Sequence, residues 1–207
     1  MKNPYFRFVE IDKKIISQFL LDHPDLKSFV DIDQPFYVRI SKKLYPGLIH
    51  TIISDNETNQ NVQIQWNQLL TFVRKIKAER IVDLTPEVLI QIVGEKKANL
   101  IRNISVDVIN DKLNLKEIAK MSEDKIALAL KNYKHLSINA INTFILFGCF
   151  KQNVLCDSDP DFIRGLQIFL NKQNITQEDI NNIKIEYRDQ LTLFSLCMWK
   201  INNERPK

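Results

Sequence analysis

Residues 62–76, VQIQWNQLLTFVRKI, repeat apolar side chains three and four positions apart. The repeated positions are Val62, Trp66, Leu69, Leu70, Val73 and Ile76. Because an α-helix turns once in about 3.6 residues, this spacing places a single apolar stripe along one helix face. The segment therefore predicts an amphipathic helix packed on a protein core.

The same period continues on both sides of this segment. It recurs in residues 11–20, 48–53, 98–109, 138–146, 162–170 and 191–201. Helix-start signals stand at Thr85-Pro86-Glu87, Ser122-Glu123 and Thr176-Gln177, where a capping side chain precedes proline or an acid. Only Phe36–Ile40 alternates apolar and polar residues. We therefore predict an all-α fold of about ten helices.

The composition excludes several classes of protein. The 207 residues include only four glycines, which rules out a G-x-G-x-x-G loop and a P-loop. Three widely spaced cysteines and three scattered histidines predict buried thiols and no metal or other cofactor. No apolar run approaches the ~20 residues that cross a bilayer, and no apolar core follows Met1–Pro4. A net charge of +4 permits binding to a polyanion without requiring it.

Two acids, Asp157 and Asp159, flank Ser158 immediately before Pro160. A carboxylate at the start of a helix is stabilised by the exposed N–H groups and the positive end of the helix dipole. Two interpretations stay open from these residues alone. Either the acid only caps its helix, or it is a catalytic carboxylate held in its ionised form.

Residues 131–140, KNYKHLSINA, resemble the hairpin of helix-hairpin-helix DNA glycosylases, whose pattern is approximately L-P-G-I-G-P-W-T-A. About twenty residues later the glycosylase pattern has an acid, then arginine and glycine five and six places on. Asp159, Arg164 and Gly165 reproduce that spacing.

Other segments resemble the 3-methyladenine DNA glycosylase II family, in the family's order, over residues 14 to 201. They are 16–33, 44–54, 55–58, 94–102 and 191–200. The resemblance implies one glycosylase unit over 1–207, a two-lobed helical fold with a degenerate helix-hairpin-helix. The lobes would be 45–150, which holds the hairpin, and 1–44 with 151–207.

The chain also departs from the glycosylase pattern. Lys134 and Leu136 replace the two hairpin glycines, and the tryptophan position holds Ile138. Bifunctional relatives carry a Schiff-base lysine at that position. Because isoleucine has no amine, the resemblance implies a monofunctional hydrolase.

The resemblance also implies a set of site residues. Asp159 would be the catalytic acid, with Asp157 as the alternative one register away. Asn56 would be the wedge that fills the space left by an extruded base, or else an ordinary loop residue. DNA contacts would come from Lys97, Lys134, Ser137 and Arg164. Tyr133 and Trp199 would contact the damaged base, or else belong to the core.

The leading hypothesis is a monofunctional DNA glycosylase that removes alkylated purines of the 3-methyladenine type during base-excision repair. Its partner would be double-stranded DNA containing a damaged base. The protein would bind this DNA as a monomer and would not associate with a membrane. The location would be the cytoplasm and nucleoid of a bacterium, or the nucleus of a eukaryote. One alternative is a DNA-binding protein of the same fold with impaired or altered catalysis, and another is a helical adaptor unrelated to DNA.

Overall fold

The computed structural model describes residues 4–203, which form twelve α-helices and two short strands. The helices are α1 (Lys13–Asp22), α2 (Leu44–Ser54), α3 (Asn59–Val73), α4 (Ala78–Val82), α5 (Pro86–Val93), α6 (Glu95–Ile109), α7 (Leu115–Ile118), α8 (Glu123–Lys131), α9 (Ile138–Thr143), α10 (Pro160–Leu170), α11 (Gln177–Glu186) and α12 (Leu191–Asn203). A 3-10 turn covers Pro24–Ser28, and a π-helical turn, Phe144–Gly148, follows α9.

The predicted all-α class is confirmed, with two more helices than the periodicity indicates. The additional helices, α4 and α7, have five and four residues. Segments this short do not complete two turns, so no apolar repeat marks them.

The strands are β1 (Phe6–Glu10) and β2 (Tyr37–Ser41), which pair in one sheet. The alternation at Phe36–Ile40 corresponds to β2, whose Val38 and Ile40 are buried. β1 has no clear alternation and was not predicted.

The chain divides into two compact units. Unit 1 comprises residues 4–6 and 41–149 of the described chain, and unit 2 comprises 7–40 and 150–203. The core of unit 1 contains fully buried side chains from four helices: Leu48, Ile49, Ile53, Leu69, Ile101, Ile104 and Ile126. Leu69 and Trp66 belong to the segment 62–76, so its apolar face does pack on the core.

Unit 2 is centred on the packing of α10 against α12. Phe162 of α10 and Phe194 of α12 are fully buried, with ring centroids 6.2 Å apart. Gly165 permits the close approach of the two helices, since a methyl group in its place would overlap the carbonyl of Met198.

None of the three cysteines, which all lie within residues 4–203, forms a disulfide: Cys156 and Cys197 are buried and Cys149 is half-buried. Burial raises the pKa of Cys197 to about 12. Within residues 4–203, no group of three or more His, Cys, Asp or Glu side chains is placed to hold a metal ion. None of the helices there combines the length and apolarity that crossing a membrane requires.

Candidate active site and nucleic-acid interface

Asp159 is the N-cap of α10. Its Oδ1 accepts hydrogen bonds of 2.9 Å from the backbone N–H groups of Asp161 and Phe162. Pro160 occupies the first helical position, where its missing N–H costs nothing. The half-buried carboxylate thus lies at the N-terminus of an eleven-residue helix, the end at which the helix dipole is positive.

Trp199 of α12 donates a third hydrogen bond to the same oxygen. Its indole Nε1 lies 2.9 Å from Asp159 Oδ1. All three of these donors bind Oδ1, and no group within residues 4–203 donates a hydrogen bond to Oδ2 of Asp159. One carboxylate oxygen is therefore held by three N–H groups, while the other makes no hydrogen bond within the described chain.

Asp157 has a different environment. Its Oδ2 forms an ion pair of 2.9 Å with Lys184 Nζ, and its Oδ1 accepts a 3.5 Å hydrogen bond from Ser158. The two acids that the sequence leaves as alternatives are thus distinguished by their partners.

Arg164, also on α10, forms an ion pair with Asp161 one turn earlier. More than half of the arginine side chain remains exposed. Asp161 also accepts a hydrogen bond of 3.2 Å from Asn202 of α12.

The hairpin lies in unit 1, at residues 132–137 between α8 and α9. Lys134 and Leu136, which replace the glycines, are not the residues with unusual backbone geometry. His135 between them has a φ of 72°, in the left-handed region. Histidine adopts this region more readily than most non-glycine residues. The side chains of Lys134 and His135 are exposed, and Leu136 is buried.

Ser137 caps α9, because its Oγ accepts a 3.0 Å hydrogen bond from the N–H of Ala140. The same hydroxyl donates to Asp55 Oδ1 at 2.8 Å. A hydroxyl has one proton. That proton is used within the protein, so the geometry does not support the predicted DNA contact by this side chain.

Asn56 lies in the turn between α2 and α3, which we call the wedge turn (residues 55–58). Its side chain is exposed, and its φ of 54° is left-handed, a conformation that asparagine tolerates. The carboxylates on both sides are anchored: Asp55 to Ser137, and Glu57 to Lys97 at 3.1 Å.

Lys97 points toward the protein rather than toward solvent. Its Nζ donates to the carbonyl of Ile53 at 2.8 Å as well as to Glu57, and its side chain is 20% exposed. Desolvation by itself would raise the pKa of Glu57, but hydrogen bonds from Asn61, Lys97 and Gln65 and the charge of Lys97 outweigh it and lower that pKa. These contacts join the Lys97 ammonium to the end of α2 and to the wedge turn, and they do not support the predicted DNA contact by this side chain.

Tyr133 is the hairpin aromatic. Its hydroxyl donates to Asp107 Oδ2 of α6 at 2.9 Å. Burial raises the pKa of this phenol, and the adjacent Asp107 raises it further. Tyr133 lies in unit 1 and Trp199 in unit 2, so the two predicted substrate-binding residues do not share a unit.

Sequence reasoning missed Asp55, Glu57 and Asp107 as partners of the predicted residues. The separations are long, 82 residues for Asp55 and Ser137 and 40 for Glu57 and Lys97. No local spacing rule joins residues this far apart.

No protein-family model and no curated protein matches this chain. Solved structures do match it. A DNA-3-methyladenine glycosidase from Bacillus halodurans has a TM-score of 0.81 at 17% identity, over 96% of this chain and 93% of that one. An 8-oxoguanine glycosylase/lyase from Clostridium acetobutylicum, in complex with double-stranded DNA, has a TM-score of 0.78 at 15% identity, over 94% and 71%.

A 3-methyladenine DNA glycosylase from Schizosaccharomyces pombe, in complex with abasic DNA, has a TM-score of 0.68 at 15% identity. That match covers 77% of this chain and 80% of that one. This polypeptide therefore has the fold of the helix-hairpin-helix DNA glycosylases.

Proposed function

We propose that this protein is a monofunctional DNA glycosylase that hydrolyses the N-glycosidic bond of alkylated purines in double-stranded DNA. The observation that carries the proposal is the carboxylate of Asp159. Three N–H groups hold its Oδ1, and its Oδ2 makes no hydrogen bond within residues 4–203. The shared fold supports glycosylase chemistry in general, and the alkylated-purine specificity is the finer part of the proposal.

Asp159 acts on the deoxyribose. When the bond between C1′ and the base nitrogen breaks, its electron pair leaves with the base and positive charge develops on the sugar. An ionised carboxylate stabilises that charge and accepts a proton from the water that adds to C1′. Because an N-alkylated purine is already cationic, it departs without a general acid.

The wedge turn serves base extrusion. A glycosylase must take its target base out of the stack, which costs a few kcal/mol. Asn56 enters the vacated space, where its amide hydrogen-bonds the orphaned partner base. The support for this role is its exposure at the tip of a turn whose two neighbouring carboxylates are anchored.

The hairpin anchors the DNA backbone. Lys134 is exposed at its tip and supplies charge where the family pattern has glycine. Arg164 supplies a second cation from α10. The protein acts as a monomer where DNA is found, in the bacterial nucleoid or the eukaryotic nucleus.

Ile138 makes the proposed enzyme monofunctional. It is the first residue of α9 and is 58% exposed. Its side chain cannot form the Schiff base that a lyase requires.

Duplex oligonucleotides with a single 7-methylguanine, 3-methyladenine, hypoxanthine or 8-oxoguanine test the proposal. We expect abasic product from the alkylated purines, with strand breaks only after alkali. Strand breaks without alkali would contradict the monofunctional assignment. Release of 8-oxoguanine alone would contradict the alkylated-purine specificity.

A second candidate is a DNA-binding protein of this fold that lacks catalysis. The hairpin favours it, because its left-handed position is His135 and it contains no glycine. Salt-sensitive binding to all four duplexes without any abasic product would support this alternative.

A further inference from the structure

We propose that Trp199 is a positioning residue that orients the carboxylate of Asp159, and that Oδ2 of Asp159 is the oxygen that faces the reacting sugar and water. This inference rests on the proposed glycosylase function. It replaces the expected stacking of Trp199 on the damaged base with a role exerted through its indole N–H.

The packing of α10 against α12 brings the two side chains together. Gly165 allows the backbone of α12 to approach at Met198, the residue before Trp199. A second link from α12, between Asn202 and Asp161, lies next to the hydrogen bond between Trp199 and Asp159. The packing of the two helices therefore places the indole next to the carboxylate, and the hydrogen bond from Nε1 holds it there.

The three donors to Oδ1 come from different parts of the fold. Asp161 and Phe162 donate from the first turn of α10, and Trp199 donates from α12. A capping aspartate held by its own helix alone retains freedom to rotate its carboxylate. The third donor restricts that rotation and leaves Oδ2 available.

The indole N–H of Trp199 can only donate a hydrogen bond, and this fixes its role toward the carboxylate of Asp159. An indole N–H donates and cannot accept, so it selects the carboxylate oxygen as its partner. Hydrogen bonds to ionised groups are roughly twice as strong as neutral ones. Catalysis then gains from a base that already points at the reaction, without a change in DNA affinity.

Trp199→Phe separates positioning from stacking, because phenylalanine keeps an aromatic face and loses the N–H. We expect the single-turnover excision rate to fall about tenfold, while the Kd for a duplex with an abasic-site analogue changes less than about twofold. In an Asp159→Asn background, Trp199→Phe should cause no further loss of excision. An unchanged rate, or a loss confined to DNA affinity, would overturn the inference in favour of stacking.

Trp66→Phe is the matched control, since Trp66 is the only other tryptophan in the chain and lies in unit 1. It should leave the rate unchanged. In a proton–nitrogen correlation spectrum of the full chain, the Trp66→Phe variant loses the Trp66 indole resonance, so the resonance that remains belongs to Trp199. Asp159→Ala removes the acceptor, so the Trp199 indole proton should shift upfield in that variant, and an unmoved resonance would contradict the hydrogen bond itself.

The two proposals fail in different ways. A wild-type protein inactive on every duplex would contradict the glycosylase function and the positioning role together. An active wild type with a fully active Trp199→Phe variant would contradict only the positioning role.

Discussion

Ser137 Oγ donates a 2.8 Å hydrogen bond to Asp55 Oδ1 and accepts the N–H of Ala140. One hydroxyl thus caps α9 and joins the hairpin to the residue before Asn56. Within unit 1, the element proposed to anchor DNA is tied directly to the turn proposed to enter it.

Ser137→Ala should weaken both functions of that hydroxyl. Loss of an N-cap costs about 1 kcal/mol, and Asn56 loses one of its two anchors. We expect a lower Tm and slower single-turnover excision. Ser122→Ala is the matched control, because Ser122 precedes α8 without a side-chain capping bond. Equal changes in both variants would contradict a special role for Ser137.

Asp159→Asn should reduce excision by at least about a thousandfold, because the amide cannot stabilise a developing cation as a carboxylate does. Circular dichroism and DNA binding should remain close to wild type. Asp157→Asn should keep most of its activity, since it breaks only a partly exposed ion pair with Lys184. The reverse pattern would assign catalysis to Asp157.

Lys134→Ala should lower the slope of log Kobs against log salt by about 0.9, the value for one phosphate contact on duplex DNA. Lys97→Met should leave the slope unchanged and lower the Tm, because Lys97 contacts Ile53 and Glu57 instead. Filter-binding titrations from low to moderate salt measure both slopes. A reduced slope in Lys97→Met would instead show that Lys97 contacts a DNA phosphate.

Gly165→Ala should destabilise unit 2 despite the better helix propensity of alanine. The new methyl group overlaps the Met198 carbonyl, and such overpacking costs about 1–3 kcal/mol. Displacement of α12 should also weaken the hydrogen bond from Trp199 to Asp159. Urea denaturation and the Trp199 indole resonance report the two effects. Unchanged values of both would show that the helices tolerate the methyl group.

Asp179 should contribute a pH-dependent part of the stability. Hydrogen bonds from Lys172 and Thr176 lower its pKa from 3.8 to about 2. Because the folded pKa lies below the unfolded one, the stabilisation is fully present above pH 3.8 and is lost as the pH falls toward 2. Asp179→Asn should therefore lower the Tm at pH 7, and the difference from wild type should vanish near pH 2. A constant difference across this range would contradict the linkage.

Local physical chemistry made much of the fold predictable. The helical period of residues 62–76 depends on neighbours three and four positions away, and the structure places that apolar face in the core. The caps at Thr176 and Asp159 likewise involve N–H groups only two or three residues along the chain. Such features depend on short-range geometry, so the sequence determines them by itself.

The partners of the candidate site residues were decided by tertiary structure. Trp199 and Asp159 are 40 residues apart, as are Lys97 and Glu57, and their meeting depends on how the helices pack. Packing directs the Lys97 ammonium into the protein and aims the Trp199 indole at a carboxylate, although both residue types commonly contact nucleic acids. The sequence by itself determined which segments carry a helical apolar face, because that period depends on near neighbours, and the packing of helices distant in the chain decided which groups each side chain contacts.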